Sequence, residues 1–215
     1  MKMLALEFSS PQRSVAVVSS TGAAGEVIHA SPGNTMQPLG LVEAALKQTG
    51  VRREQVEAIA VGLGPGSYNG IRVAIALAQG WQLASGVKLL GVGSAECVAA
   101  QAFADGMQGK FSVVIDAQRG EFYVADYEVN AGTLRHTSSL ELVAREQVSR
   151  RERAGNILIG PEVTRWFPNG RVVFPRAEML GKLAFGRNDF VPGNKLEPIY
   201  LRQANFVKAP PPRTL

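Results

Sequence analysis

The chain has 215 residues, of which 46% are hydrophobic and 19% charged. That balance suits one large core or two smaller ones and excludes disorder as the main state. The net charge of +5 is spread along the sequence and would favour a polyanionic partner without marking a surface for one, and the single cysteine, Cys97, excludes an intramolecular disulfide framework.

Met3–Phe8 reads as a short apolar strand and Ser14–Ser19 as its hairpin partner, with Ser9-Ser10-Pro11-Gln12 as the turn. Glu26–Ala30 is a third strand after the Gly22/Gly25 turn, completing an antiparallel meander. The period then changes. Met36, Leu39, Val42 and Leu46 recur at helical spacing, which predicts a helix over Thr35–Thr49, capped by Asn34 or Thr35 and stopped at Gly50. Arg52–Gln55 is a polar turn, and Ala58–Gly62 is a wholly apolar strand of the buried type.

A glycine-rich loop follows, Gly62-Leu63-Gly64-Pro65-Gly66-Ser67-Tyr68-Asn69-Gly70, and leads into a helix over Ile71–Ser85 ended by Gly86. Lys88–Val92 is a strand and Ala95–Ala104 a helix. Strand, loop, helix and strand form a βαβ unit, so this part of the sheet should be parallel. Beyond Gly106 the opening pattern repeats. Phe111–Ile115 is a strand, Gln118-Arg119-Gly120 a turn, and Glu121–Glu128 an alternating strand. Ser138–Arg151 reads as a helix, Asn156–Ile159 and Val172–Phe174 as strands, and Ala177–Phe185 as a helix. The expected organisation is an N-terminal lobe over 1–105, a smaller C-terminal lobe over 106–208, and an extended, proline-rich tail over 209–215.

Gly64, Gly66 and Ser67 invite two readings. Backbone N–H groups at a helix start can cradle an anion. The glycines can equally serve a sharp turn and close packing, with Ser67 or Asn69 capping the helix. The spacing matches neither a Walker A loop nor Gly-x-Gly-x-x-Gly. The helix after the loop is apolar nearly all round and carries small residues at Ala74, Ala78, Gly80 and Ala84. One side belongs to its own sheet; the other needs cover, and the short chain suggests a protein partner. The expected contact is Ile71, Ala74, Ile75, Ala78 and Gln82, joined by Met36 and Leu39 of the preceding helix.

Chemistry-bearing patterns are sparse. Cys97 lies in an apolar run and reads as a buried small hydrophobe. His29 and His136 stand far apart, with no metal-ligand spacing, and Gly-x-Ser-x-Gly is absent. Glu7 reads as a polar strand-end residue facing water rather than a base or metal ligand. Asp116 is open between capping the 118–120 turn and touching a nucleotide. The apolar start is broken by Glu7, so no signal peptide is expected, and no run approaches the ~20 apolar residues of a membrane span. The expectation is a cytoplasmic protein with no membrane association, metal or cofactor.

Several segments, taken in order, resemble the TsaB family of bacterial tRNA threonylcarbamoyladenosine biosynthesis proteins, once grouped with glycoprotease-like proteins. They are Leu4-Ala5-Leu6-Glu7-Phe8-Ser9-Ser10, Gly62 to Val73, Gly91-Val92-Gly93-Ser94, Asp116 to Tyr123, and Leu196-Glu197-Pro198-Ile199-Tyr200-Leu201-Arg202. The resemblance implies an α/β, actin-like (ASKHA, ribonuclease H-like) fold of two lobes, with mixed sheets flanked by helices. It further implies a non-catalytic subunit that binds and activates a catalytic threonylcarbamoyltransferase paralogue (TsaD-type), with a TsaE-type ATPase in the complex and tRNA reached indirectly. Pairing, with the paralogue or as a homodimer, would use the helices Thr35–Thr49 and Ile71–Ser85. The paralogue carries metal-binding histidines on its first helix; Asn34–Leu46 has none. The family usually has Asp where Glu7 stands and Phe-Thr-Gly where Tyr68-Asn69-Gly70 stands. The alternative is an actin-like-fold small-molecule kinase or nucleotide-binding protein; the short length and Glu7 argue against it. A metallopeptidase, suggested by the older label, lacks its histidines.

Overall fold

A computed structural model describes residues 1–20, 25–30 and 37–201. The expected cap at Asn34 or Thr35, the contact residue Met36 and the tail over 209–215 lie outside these residues. The first sheet contains β1 (Lys2–Glu7), β2 (Gln12–Ser19), β3 (Gly25–Ala30), β4 (Ala58–Gly62) and β5 (Lys88–Val92), in the order β3-β2-β1-β4-β5. The β1–β2–β3 meander is antiparallel, whereas β1, β4 and β5 run parallel. The second sheet contains β6 (Gly109–Asp116), β7 (Glu121–Asn130), β8 (Thr133–Ala144), β9 (Ile157–Gly160) and β10 (Arg171–Val172), in the order β10-β9-β6-β7-β8. Here too a three-stranded antiparallel meander is extended by parallel strands on its first member. The two sheets repeat one topology.

Helices α1 (Pro38–Thr49) and α2 (Tyr68–Ser85) cover one face of the first sheet, and α3 (Ser94–Ala104) and α5 (Ala177–Ala184) pack on the other. The alternation of β1 explains this division. Leu4, Leu6 and Phe8 point into the α1/α2 core, while Met3 and Ala5 join Cys97, Leu180 and Ala184 on the opposite side. Both faces of the central strand are therefore apolar, as its sequence is. Both helices of the first face end as their glycines predict, since Gly50 and Gly86 take left-handed C-cap conformations.

The helix expected over Ser138–Arg151 is divided. Residues up to Ala144 form β8, the third strand of the second meander, and only Arg145–Arg153 is helical (α4). Leu134, Leu140 and Leu142 line the second-lobe core from one face of β8. Their alternation was hidden because Leu140, Val143 and Val148 also suit a helical stripe. The strand expected over Val172–Phe174 is Arg171–Val172.

The boundary near residue 105 separates the two sheets but not the helices. Ala95, Val98, Ala99 and Ala102 of α3 pack into the second-sheet core, and α5 with Leu196 returns to the first lobe. Within residues 106–201, α5 and Leu196 thus belong to the cores of the first sheet. Among the described residues no helix is long and apolar enough to cross a membrane.

Candidate functional site

Helix α2 begins three residues earlier than its apolar run suggests. The Ser67 side chain caps it, accepting the Gly70 N–H at 3.4 Å. From there the i, i+3, i+4, i+7 stripe of Ile71, Ala74, Ile75 and Ala78 faces the first sheet, and all four are buried in this chain's own core. The expected partner contact is corrected at these four positions. Gln82 is corrected as well. Its Oε1 accepts the Gly193 N–H at 2.7 Å and its Nε2 donates to the Val87 carbonyl at 3.2 Å. Gln79 donates to the Gly193 carbonyl at 2.7 Å, and the Ile199 N–H reaches the Leu63 carbonyl at 2.8 Å. Residues 191–200 thus form a strap along this flank of α2. The chain has the covering material that its length had seemed to deny it.

The other side of α2 is open. Val73, Ala76, Leu77, Gly80, Trp81 and Ala84 face Pro38, Leu39 and Val42 of α1 across a groove of about 730 Å³. Leu39, the one expected contact residue that lines it, is 60% exposed. Arg53, which pairs with Glu43, and Glu54 form a polar edge at one end. Ala76, Gly80 and Ala84 recur every fourth residue, so the floor of the groove is low where another helix would approach. The sequence displayed this set as plainly as the buried one. Only the arrangement of the sheet and strap separates them.

A second concavity, polar and about 540 Å³, lies between the lobes. It is lined by the β1–β2 turn (Ser9, Ser10, Pro11, Arg13), by Gly66–Tyr68 and by Asp116–Gln118 of the second hairpin, among others. Asp116 Oδ1 accepts the Gln118 N–H at 2.7 Å, so it caps its own turn, where Gln118 and Arg119 adopt positive φ. At the mouth of this cleft Tyr68 stacks on Tyr200 at 5.6 Å, and Arg72 lies over Tyr68 and donates to its hydroxyl.

The glycine loop is packed rather than open. The Gly64 N–H donates to Ser94 Oγ at 3.1 Å and the Ser67 N–H to the Ser9 carbonyl at 2.7 Å. A Cβ at Gly66 would lie 2.1 Å from that same carbonyl. Gly66 and Ser67 still border the cleft, but the amides of Gly64, Ser67 and Gly70 are engaged within the protein and are not free to cradle an anion. Close approach of the loop to the β1–β2 turn is what requires glycine.

Glu7 does not face water. It is fully buried and accepts the Ser9 N–H at 2.8 Å and the Ser94 hydroxyl at 3.0 Å. Burial raises its pKa above the ordinary carboxylate value, and these hydrogen bonds partly oppose the rise. Cys97 is buried as its apolar setting predicts; its thiol donates to the Arg176 carbonyl at 3.3 Å, and burial pushes its pKa well up. That environment suits an inert thiol, not a nucleophile.

Duplicated meander-plus-parallel sheets, helices on both faces and a polar cleft between equivalent hairpins define a two-lobed protein of the actin-like (ASKHA) class. The family model described as TsaD, tRNA N6-adenosine threonylcarbamoyltransferase, matches residues 33–201. The chain is 27% identical over 186 residues to the tRNA threonylcarbamoyladenosine biosynthesis protein TsaB of Escherichia coli K12, covering 79% of this chain and 80% of that protein. It is 30% identical over 125 residues to the Haemophilus influenzae TsaB protein, covering 56% of this chain and 51% of that one. A crystal structure titled YeaZ from Pseudomonas aeruginosa superposes with a TM-score of 0.79 at 26% identity, covering 93% of this chain and 99% of that chain. The chain belongs to this threonylcarbamoyltransferase family, and within it to the TsaB proteins.

Proposed function

We propose that this chain is a non-catalytic accessory subunit in the formation of N6-threonylcarbamoyladenosine at position 37 of tRNA, and that it acts by docking the α1/α2 groove onto a TsaD-type catalytic paralogue. The names of its TsaB relatives supply the pathway. The observation that carries the docking is the open apolar groove, where Leu39 is 60% exposed and Leu77 and Trp81 are only partly buried. An apolar centre with a charged edge at Arg53 and Glu54 has the anatomy of a protein interface. The first helix of the groove, Pro38–Thr49, carries no histidine, which fits a subunit that leaves metal chemistry to the paralogue.

The mechanism in this reading is geometric. The groove binds one arrangement of the paralogue more tightly than others and so raises its population. A TsaE-type ATPase would join the assembly, and tRNA would be reached through the paralogue. Self-association through the same groove would compete with that pairing. The alternative of a small-molecule kinase finds less support, since Glu7 is enclosed in the fold and Asp116 is engaged by its own turn.

Gly80→Arg tests the proposal. A Cβ at Gly80 meets nothing within 4 Å, so the isolated chain accommodates the change. Co-expression with the TsaD-type paralogue followed by size-exclusion chromatography should give a complex for the wild type and separate peaks for the variant. An unchanged complex would refute docking through this groove.

A further inference from the structure

Neither the groove nor the cleft uses the carboxylate of Glu7. It ends β1 on the α3/α5 side of the sheet, with both oxygens accepting hydrogen bonds. The Ser94 hydroxyl that donates to it accepts the Gly64 N–H at 3.1 Å, and the Ser94 N–H donates to the Gly64 carbonyl at 2.7 Å. A hydroxyl whose lone pair takes an amide proton has its own hydrogen left for the carboxylate. Three segments meet here: the end of β1, the loop that starts α2, and the first residue of α3. Gly62 makes the room, since a Cβ there would lie 2.1 Å from the carboxylate. Helix α2 carries the open groove, while α3 packs into the second-sheet core.

We propose that Glu7 is a positioning residue which, acting through Ser94, locks the start of α2 to α3 and so holds the groove in a fixed orientation to the second lobe. Only its consequence for partner binding rests on the proposed docking; the lock itself belongs to the isolated chain. Among the described residues no cation is bonded to the carboxylate. On α3, Cys97 remains a protonated thiol, and Glu96 is exposed on the outer side. On β2, Arg13 borders the cleft, and Ser14, opposite Glu7 in register, accepts the Ala177 N–H. On β3, Glu26 is paired with Arg176, and Glu178 of α5 with Lys182. Strand β4, the remaining neighbour, contributes no titratable group.

The sign of the pH effect follows. The folded pKa lies above the unfolded one because burial disfavours the charge. The stability that Glu7 contributes is complete below the unfolded pKa and is lost as pH rises through the folded pKa. The test compares wild type, Glu7→Gln and Ser94→Ala as isolated chains. Thermal midpoints would be recorded from about pH 4 to 8, and amide exchange followed at Ser9, Gly64 and the first turn of α2. The wild type should show a fall in midpoint across the raised pKa that Glu7→Gln lacks. Ser94→Ala, the milder change, should speed exchange at Gly64 by at least about tenfold while leaving the centre of β4 protected. Unchanged Gly64 exchange in Ser94→Ala would overturn the lock. That result leaves the Gly80→Arg outcome untouched, so the two proposals fail separately.

Discussion

The two flanks of α2 have nearly the same composition and opposite fates. One carries Ile71, Ala74, Ile75 and Ala78 and is sealed by the first sheet, with Gln79 and Gln82 tied to the strap at Gly193. The other carries Val73, Ala76, Leu77, Gly80, Trp81 and Ala84 and faces α1 across an open groove. The difference teaches that an apolar, small-residue helix announces two interfaces without saying which is internal. The burial of each residue, not its hydrophobicity, assigns the role.

The comparison is broken most forcefully from the sealed flank. Ala78→Arg places an unpaired charge in the core and should cost more than about 4 kcal/mol, seen as loss of a cooperative thermal transition. On the open flank, Ala76→Asp, at an exposed groove position, should leave the melting curve of the isolated chain nearly unchanged and weaken binding to the paralogue by roughly a hundredfold, measured by calorimetric titration. If Ala76→Asp unfolded the chain, the contrast between the flanks would collapse. Trp81→Ala sharpens it further: a half-covered aromatic at the edge of the groove should lose roughly tenfold in the same titration. Gln82→Ala removes the strap's hydrogen bond to Gly193 and should cost about 1 kcal/mol in denaturant unfolding, with partner affinity intact. The smallest effect is expected from Gly80→Ala. It replaces a helix-interior glycine in open space and should stabilise the isolated chain by about 0.5–1 kcal/mol.

The second meander shows a different kind of ambiguity. Its first two strands were legible from alternation and from Gln118-Arg119-Gly120, whose positive φ values close the hairpin. Its third strand was not, because Leu140 and Val143 satisfy a helical spacing as well as a strand one. Pairing with β7 over Glu121–Asn130 settles the matter; Leu142 and Val143 lie opposite Tyr123 and Phe122, partners too far back in the sequence to leave a local trace. Glu7 is the parallel case among polar residues. A carboxylate at a strand end normally meets water; here Ser94, which receives it, is 87 residues away.

By itself, the sequence determined the strands of the first sheet, both helix ends at Gly50 and Gly86, a polar cap at Ser67 or Asn69, and the family. These depend on neighbours within a few residues or on ordered motifs. Tertiary structure alone decided which flank of α2 is open, where the strap over 191–200 lies, and that Glu7 is enclosed. Each of those depends on contacts between residues far apart in the chain, and hydrophobic burial, being non-directional, does not encode its partner in local pattern.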